Sequence, residues 1–409
     1  MTRPSADRRQ VTSAVPVSYS AFVLLGIGAG ASGVLLPSQM AGYGVDRATI
    51  GISFFTISAG WVLAGMSSGA LIHRFGVRIV LMTGGGAFML SGLYLATRPP
   101  FVAFVLVQVL TGYGAGTLES ALNVYLTSLP GATTLLNRLH AFWGAGALLG
   151  PPLATWILGF ASWTVVWLVL AAACVPLLVG FLVTYRGEAR PSVTAKDDRS
   201  GTASMLGAAL RDRGVQLGAA MLAVYVGLEA SVGDWGFSYL LQARGLPESL
   251  AGYAISGYWL GLTLGRFLIS PIATRLGVTT AGMMYACLAG VAAAATLAWL
   301  SPAALTCVAL VLLGFFLGPV FPTTMAMTPG LTDASLVPTA IGVMNATAVV
   351  GGSALPWLAG TIAQSAGIRV LLPFTLALAL VQVAVWRPIA SRLDPGRTSG
   401  QARFDDHRD

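Results

Sequence analysis

Charged residues are so unevenly spread along this 409-residue chain that the gaps between them decide what it can become. From Val17 to Tyr185, and again from about 215 to 390, apolar runs follow one another with only short polar breaks. Each run is close to the roughly 20 residues, or about 30 Å of helix, that span the hydrocarbon core of a bilayer. Lipid offers no partner to a free peptide group, so segments of this kind are stable there as helices. With 56% hydrophobic and 9% charged residues, the chain also lacks the polar surface that a soluble globule of this length requires. An all-α integral membrane protein is expected.

The first run covers about Val17 to Met40, and five more end near Ile72, Thr97, Leu126, Phe160 and Tyr185. Six others lie near 215–242, 249–273, 279–300, 302–327, 335–364 and 368–390. Between the sets lies the one long polar stretch inside the chain, from Arg186 to Arg213. Twelve transmembrane helices in two six-helix bundles are therefore expected: residues 1–185, a linker at 186–213, and residues 214–409 with a short tail. The first run is too long for the core of a signal peptide and is kept as helix 1. If the amino terminus is inside, the inner segments hold 18 of the 23 basic residues, and the outer loops hold four: Arg47, Arg98, Arg244 and Arg369. That bias places both termini and the linker on the cytoplasmic side of the plasma membrane. Cys174, Cys287 and Cys307 all fall in apolar runs, which suits packing and provides neither a disulfide framework nor a metal site.

The two halves repeat. A shift of 201 residues places Gly26 on Gly227, Gly44 on Gly245, Gly51 on Gly252, Gly60 on Gly261, Arg74 on Arg275 and Gly76 on Gly277. A shift of 205 pairs Gly146 with Gly351, Pro151 with Pro356 and His140 with Asn345. Between runs 2 and 3 stands Gly69-Ala-Leu71-Ile-His73-Arg74-Phe75-Gly76-Val-Arg78. This loop resembles the G-x-L-x-D-R-x-G-x-R/K signature of the major facilitator superfamily, whose plan is two parallel six-helix repeats joined by a linker. The resemblance implies a cytoplasmic gate at His73, Arg74, Arg78 and Arg275, with His73 standing where the family has Asp. Read without it, Arg74 and Arg78 serve as topology signals.

A carboxylate at the centre of a membrane helix costs roughly 2.5–3.5 kcal/mol, so any found there must be neutral, paired or wetted. Three qualify: Glu119, Glu229 and Asp234. The repeat places Phe321 opposite Glu119, Gly28 opposite Glu229 and Gly33 opposite Asp234, so scaffold symmetry requires none of the three acids. At about 100° per residue, Gln108 lies some 20° from Glu119 and Asn123 one turn beyond, giving one polar stripe. Glu119 reads either as a proton-carrying group on a cavity wall or as an interhelical hydrogen-bonding group.

The segment Gly114-x-Gly116-x-Leu118-Glu119-Ser120-Ala121-x-Asn123 resembles the fucose/proton symporter family of sugar transporters. Asn137, His140, Phe142 and Gly146 follow at that family's spacing, and Tyr225-Val-Gly227-Leu-Glu229 and Gly265-Arg266-Phe267 extend the likeness into the second half. It implies uptake of a sugar with a proton, Glu119 taking part in both. The family's acid on helix 1 is absent: Gly33 precedes Val34-Leu-Leu-Pro37, while Asp234 occupies the symmetry-related place. Gly233-Asp234-Trp235-Gly236 suggests an interrupted helix 7, because glycine is a poor helix former and discontinuous helices mark transporter sites. Trp235, Tyr239, Tyr258 and Trp259 are candidates for stacking on a sugar face, with packing or an interfacial belt as the other reading, and Trp143 is a further candidate for the substrate set. His140 and Asn345 complete the expected substrate set, and Arg266 needs a counter-charge, for which Glu229 is the nearest candidate.

No phosphate-binding glycine loop, metal cluster or nucleophile–base pair is present, so neither an enzyme, a cofactor nor a nucleic-acid partner is expected. The expected mechanism is ion-gradient-driven transport by a monomer. The alternative is proton-coupled efflux of an apolar compound, suggested by Gly146-x-x-x-Gly150-Pro151, part of a motif seen in antiporters.

Overall fold

The protein is described by a computed structural model covering residues 8–185 and 199–393. The expected linker residues 186–198 and both tails lie outside the described residues. The first bundle comprises α1 (Arg8–Tyr43), α2 (Ile52–Phe75), α3 (Val77–Ala96), α4 (Phe101–Thr127), α5 (Ala132–Leu158) and α6 (Trp163–Thr184). The second comprises α7 (Arg213–Arg244), α8 (Glu248–Arg275), α9 (Thr280–Leu300), α10 (Ala303–Leu317, resuming as Val320–Ala326), α11 (Val337–Ala366) and α12 (Leu371–Leu393). A one-turn helix, Arg47–Ile50, precedes α2, and a 13-residue helix, Arg199–Arg211, forms the end of the linker. Among the described residues there is no strand.

Eleven segments are apolar enough along their length to cross a membrane by composition alone. The twelfth, α8, has 28 residues and the necessary length, but it carries Gly252, Ser256, Tyr258, Gly261, Thr263, Gly265 and Arg266. These residues pack against α5, α7 and α10 instead of lipid, and helices packed within a membrane favour small and polar groups on the buried face. Outward-facing apolar side chains such as Met66, Val102, Leu149, Trp156, Leu300 and Val308 are exposed, as a surface in contact with lipid requires.

Each bundle is built the same way. In the first, α1 packs on α5 and α6, α4 lies between α2 and α3, and α3 meets α6. In the second, α7 packs on α11 and α12, α10 lies between α8 and α9, and α9 meets α12. The sequence repeat marks the points of closest approach. A Cβ on Gly26 would strike the backbone of Trp143 and Ala147, with Gly146 beside it, and a Cβ on Gly351 would strike the backbone of Ala223, one turn from Gly227. Gly44 and Gly245, also repeat partners, both sit at φ +65° just past a helix end, a left-handed turn that residues with a Cβ rarely adopt.

Helix direction alternates, so Arg8, Tyr185, the helix Arg199–Arg211 and Leu393 lie at one end of the molecule, here the terminal end, and the loops near Gly44, Arg98, Gly245 and Gly367 lie at the far end. The halves meet through α1–α7, α2–α11 and α5–α8. Contacts between them fill the far half. Gly33 lies against the backbone of Gly233 and Asp234, Gly51 against Trp357, and Gly252 against Thr155. Ser256 Oγ donates to the Leu148 carbonyl at 2.6 Å, and Trp357 Nε1 to the Ala48 carbonyl at 3.2 Å. Towards the terminal end Gly65 and Gly69 of α2 and Gly342 of α11 face open space, and Asn345 and Ala346 are exposed. The structure is thus closed at the far end and open at the terminal end.

Two helices depart from expectation. α7 is continuous over 32 residues through Gly233-Asp234-Trp235-Gly236. Those glycines serve close packing, Gly233 against Trp259 and Gly236 against Ile255, and a membrane interior penalises any peptide hydrogen bond a break would expose. The interruption falls instead in α10, at Gly318-Pro319, where proline has no N–H to donate to the helix. It lies two residues before Phe321, the repeat partner of Glu119.

Candidate functional site

The midpoint of α7 carries Glu229, whose Oε1 lies 3.5 Å from Nη2 of Arg266 on α8. The same guanidinium nitrogen donates to the Tyr225 hydroxyl at 3.2 Å, one turn before Glu229 on α7. Tyr258 Oη donates to the Glu229 backbone carbonyl at 3.1 Å, which ties α8 to α7 one level higher. Phe321 packs on Tyr225 with ring centres 5.8 Å apart. The counter-charge that Arg266 needs is therefore Glu229, and a charge pair of this kind is far cheaper in a low-dielectric interior than either ion alone.

Asp234 lies five residues beyond Glu229, about 7.5 Å further along the helix and turned by about 140°. Because α7 is regular, the two carboxylates point different ways. Asp234 Oδ1 accepts from Ser32 Oγ of α1 at 2.8 Å, across the interface between the halves. Gly33, the residue that the repeat pairs with Asp234, touches the Asp234 backbone here. Two symmetry-related positions in mutual contact must lie on the pseudo-twofold axis, so Asp234 sits where α1 and α7 cross. Beside it, Trp143 of α5 and Trp259 of α8 meet edge to face with centres 5.8 Å apart. Together these contacts close the space between the halves on the far side.

Glu119 belongs to the first half. It is half-buried on α4, and among the described residues no donor or cation lies within bonding distance of its carboxylate. Gln108, three turns away on the same stripe, is buried with Oε1 unpartnered. Asn123 is half-buried, but its amide donates to the Glu119 backbone carbonyl at 2.9 Å, so it is directed at its own helix. His140 is exposed and lies edge-on to Phe22, 5.5 Å between ring centres, while Asn345, its repeat partner, is exposed on α11.

Two expected stacking residues are placed elsewhere. Trp235 is fully buried; its indole N–H donates to the Pro356 carbonyl at 2.8 Å and its ring meets Phe54 and Gly360. Tyr239 is buried near the far end beneath Arg244, whose guanidinium carbon lies 5.4 Å from the ring centre. Both aromatics fill the α7–α11 side of the bundle, where their size is used for packing. Trp259 differs, since its indole nitrogen is buried without a partner beside the Asp234 level.

The expected gate residues lie at the open end. His73, Arg74 and Arg275 are exposed and Arg78 is half-buried, with Arg74 over the ring of its neighbour Phe75 at 5.1 Å. Ser32 and Tyr225 were not among the expected site residues, and Tyr258, expected as a stacking candidate, instead bonds the Glu229 carbonyl. Ser32 was signalled only by its place beside Gly33, the repeat partner of the single acid on that level.

Sequence comparison adds to this geometry. The chain is 27% identical over 381 residues to bypass of stop codon protein 6 of Saccharomyces cerevisiae, covering 85% of this chain and 76% of the relative. It is 22% identical over 383 residues to the glucose/mannose transporter GlcP of Bacillus subtilis, covering 90% and 92%. A bacterial homologue of the human lysosomal transporter Spinster, in an inward-facing and unoccupied conformation, has a similar fold, with a TM-score of 0.77 at 12% identity over 95% of this chain and 98% of that one. The Escherichia coli fucose:proton symporter FucP follows at 0.63 and 17% identity over 91% and 97%. The sequence model of the Major Facilitator Superfamily matches residues 19–247 and again residues 235–405, nearly the whole chain. With twelve helices in two repeated bundles, the chain belongs to the Major Facilitator Superfamily of membrane transporters.

Proposed function

We propose that this protein carries a sugar or sugar-like small molecule together with a proton, by exposing one site alternately to the two sides of the membrane. The observation that carries the proposal is Glu119, a half-buried acid within α4 with no cation or donor among the described residues to hold it charged. Such a carboxylate is stable in a dry interior only as the neutral acid and can ionise only when water reaches it. Opening and closing of the cleft then change its protonation, which is what couples a proton to the transport cycle. Glu229 is in a different position, because Arg266 compensates its charge throughout. Gln108 supplies a buried amide, and Trp143 and Trp259 supply aromatic faces, groups of the kind suited to hydroxyl groups and the apolar side of a sugar ring. His140 and Asn345 lie nearer the open end, where the departing molecule passes them. The similarity to GlcP, a glucose/mannose transporter, supports a sugar over an apolar efflux substrate.

In this reading the terminal end faces the cytoplasm, the protein resides in the plasma membrane, and a single chain is the working unit. His73, Arg74, Arg78 and Arg275 come together only when that end closes. The test is Glu119→Gln in proteoliposomes, which mimics the protonated acid. The variant should still exchange labelled sugar across the membrane but should fail to accumulate it under an imposed pH gradient. Full accumulation by Glu119→Gln would falsify the assignment and move the coupling role to Asp234. Outward movement of lipophilic amines, with no sugar uptake by the unmodified protein, would replace the sugar reading with efflux.

A further inference from the structure

We propose that Arg47 is the bolt that holds the far end shut, joining the first half to the second through a one-turn helix. This end carries four arginines, Arg47, Arg98, Arg244 and Arg369, equivalent to one another in a topology argument but differently used in the fold. Arg98 Nη2 donates to the Gly42 carbonyl at 2.6 Å, within the first half. Arg244 Nη2 donates to the Ala298 and Trp299 carbonyls, both at 2.6 Å, within the second half. A shift of 201 residues carries Arg98 onto Trp299, so these two arginines make the same staple in each bundle, with donor and acceptor ends exchanged. Arg369 is exposed.

Arg47 alone among the four crosses between the bundles. Its Nη2 donates to Gln242 Oε1 of α7 at 2.6 Å, its Nη1 to the Ala363 carbonyl of α11 at 3.5 Å, and its backbone N–H to Gln364 Oε1 at 3.1 Å. The helix that holds it is set by Asp46, whose Oδ1 accepts from the Thr49 N–H at 2.8 Å. Behind it, the Trp357 indole donates to the Ala48 carbonyl, so α11 grips the same turn from the other side. The repeat offers no counterpart: Asp46 and Arg47 correspond to Pro247 and Glu248, and α8 begins directly at Glu248 with no one-turn helix before it. The bolt is therefore one-sided, a strap from the first half laid over the second.

Any state in which the halves part at the far end must release these bonds. Arg47 thus sets the balance between the two open states, whatever the substrate and whether or not a proton accompanies it. Bonds from a charged donor are the strongest of the set, so their loss is expected to shift that balance by about tenfold.

The full chain, with Cys174, Cys287 and Cys307 replaced by alanine, would carry nitroxide labels at Thr97→Cys and Leu300→Cys, exposed far-end positions in opposite halves. In lipid nanodiscs, pulsed electron resonance should show a long-distance population that rises about tenfold in Arg47→Ala. The pair Gln242→Ala and Gln364→Ala should shift it in the same direction, and Arg47→Lys by less. Arg244→Ala, which removes a staple inside one half, should leave the distribution unchanged. An unchanged distribution in Arg47→Ala, or an equal shift in Arg244→Ala, would overturn the proposal. If Arg47→Ala does not yield folded protein, the glutamine pair decides by the same criterion.

Discussion

Arg266 shows how a single side chain can be placed by cost alone. A guanidinium midway along a membrane helix must find an acid or carbonyls, and Glu229 on the neighbouring helix was the nearest candidate. The structure adds what no spacing could supply, the Tyr225 hydroxyl as a second acceptor. Replacing either charge leaves the other unpaired, so Arg266→Ala and Glu229→Gln should each lower stability by about 2–3 kcal/mol, with less than additive loss in the double variant. Thermal unfolding in detergent measures this, and strict additivity would show that the two groups do not interact. The two tryptophans give a sharper contrast. Trp235→Phe removes a satisfied N–H donor and should cost about 1 kcal/mol of stability, with transport affinity unaltered. Trp259→Phe removes a buried donor that has no partner among the described residues, so stability should hold, and on the proposed function KM for the transported molecule should rise about tenfold. Sequence alone put Trp235 ahead of Trp259 as a stacking candidate, because which way an indole points depends on neighbours across the bundle that the sequence does not show.

At the level of elements, glycine spacing carried most of the information. The repeat partners Gly26 with Gly227 and Gly146 with Gly351 lie where two backbones come into contact, and only a residue without a side chain permits that approach. Gly146→Leu should therefore push α1 from α5 and destabilise the first bundle by about 3 kcal/mol or more, whereas Gly86→Leu, facing open space on α3, should be nearly neutral. Equal melting temperatures for the two variants in detergent would contradict this packing. Helix interruption was the element misread from sequence. Glycine at Gly233 and Gly236 lowers local helix propensity, but in a bilayer the peptide hydrogen bonds outweigh that preference, and α7 stays whole. Proline at Pro319 removes a hydrogen bond outright, and there α10 breaks.

For the whole molecule, charge asymmetry predicts orientation. A cysteine at Ser204 in the linker helix should react with a membrane-impermeant maleimide only from the cytoplasmic side, and one at Glu248 only from the other. Labelling of both from one side would reverse or abolish the topology. In this structure Arg74 and Arg275 at the terminal end are exposed, while the Asp234 level is held together by the Ser32 bond between the halves. One conformation therefore presents the two ends of the cycle unequally.

By itself, the sequence determined the helices, their number, their repeat and the identity of the costly buried charges. Each follows from a local or additive quantity: the length of an apolar run, the expense of an ion in lipid, the need for glycine where helices touch. Only the tertiary structure decided which groups meet. Ser32 and Asp234 are 202 residues apart and bond because two bundles fold against one another at their pseudo-twofold axis. Arg47 and Gln242 lie in different halves and pair for the same reason. Contacts of this kind depend on rigid-body placement of whole helices, and no periodicity along the chain records it.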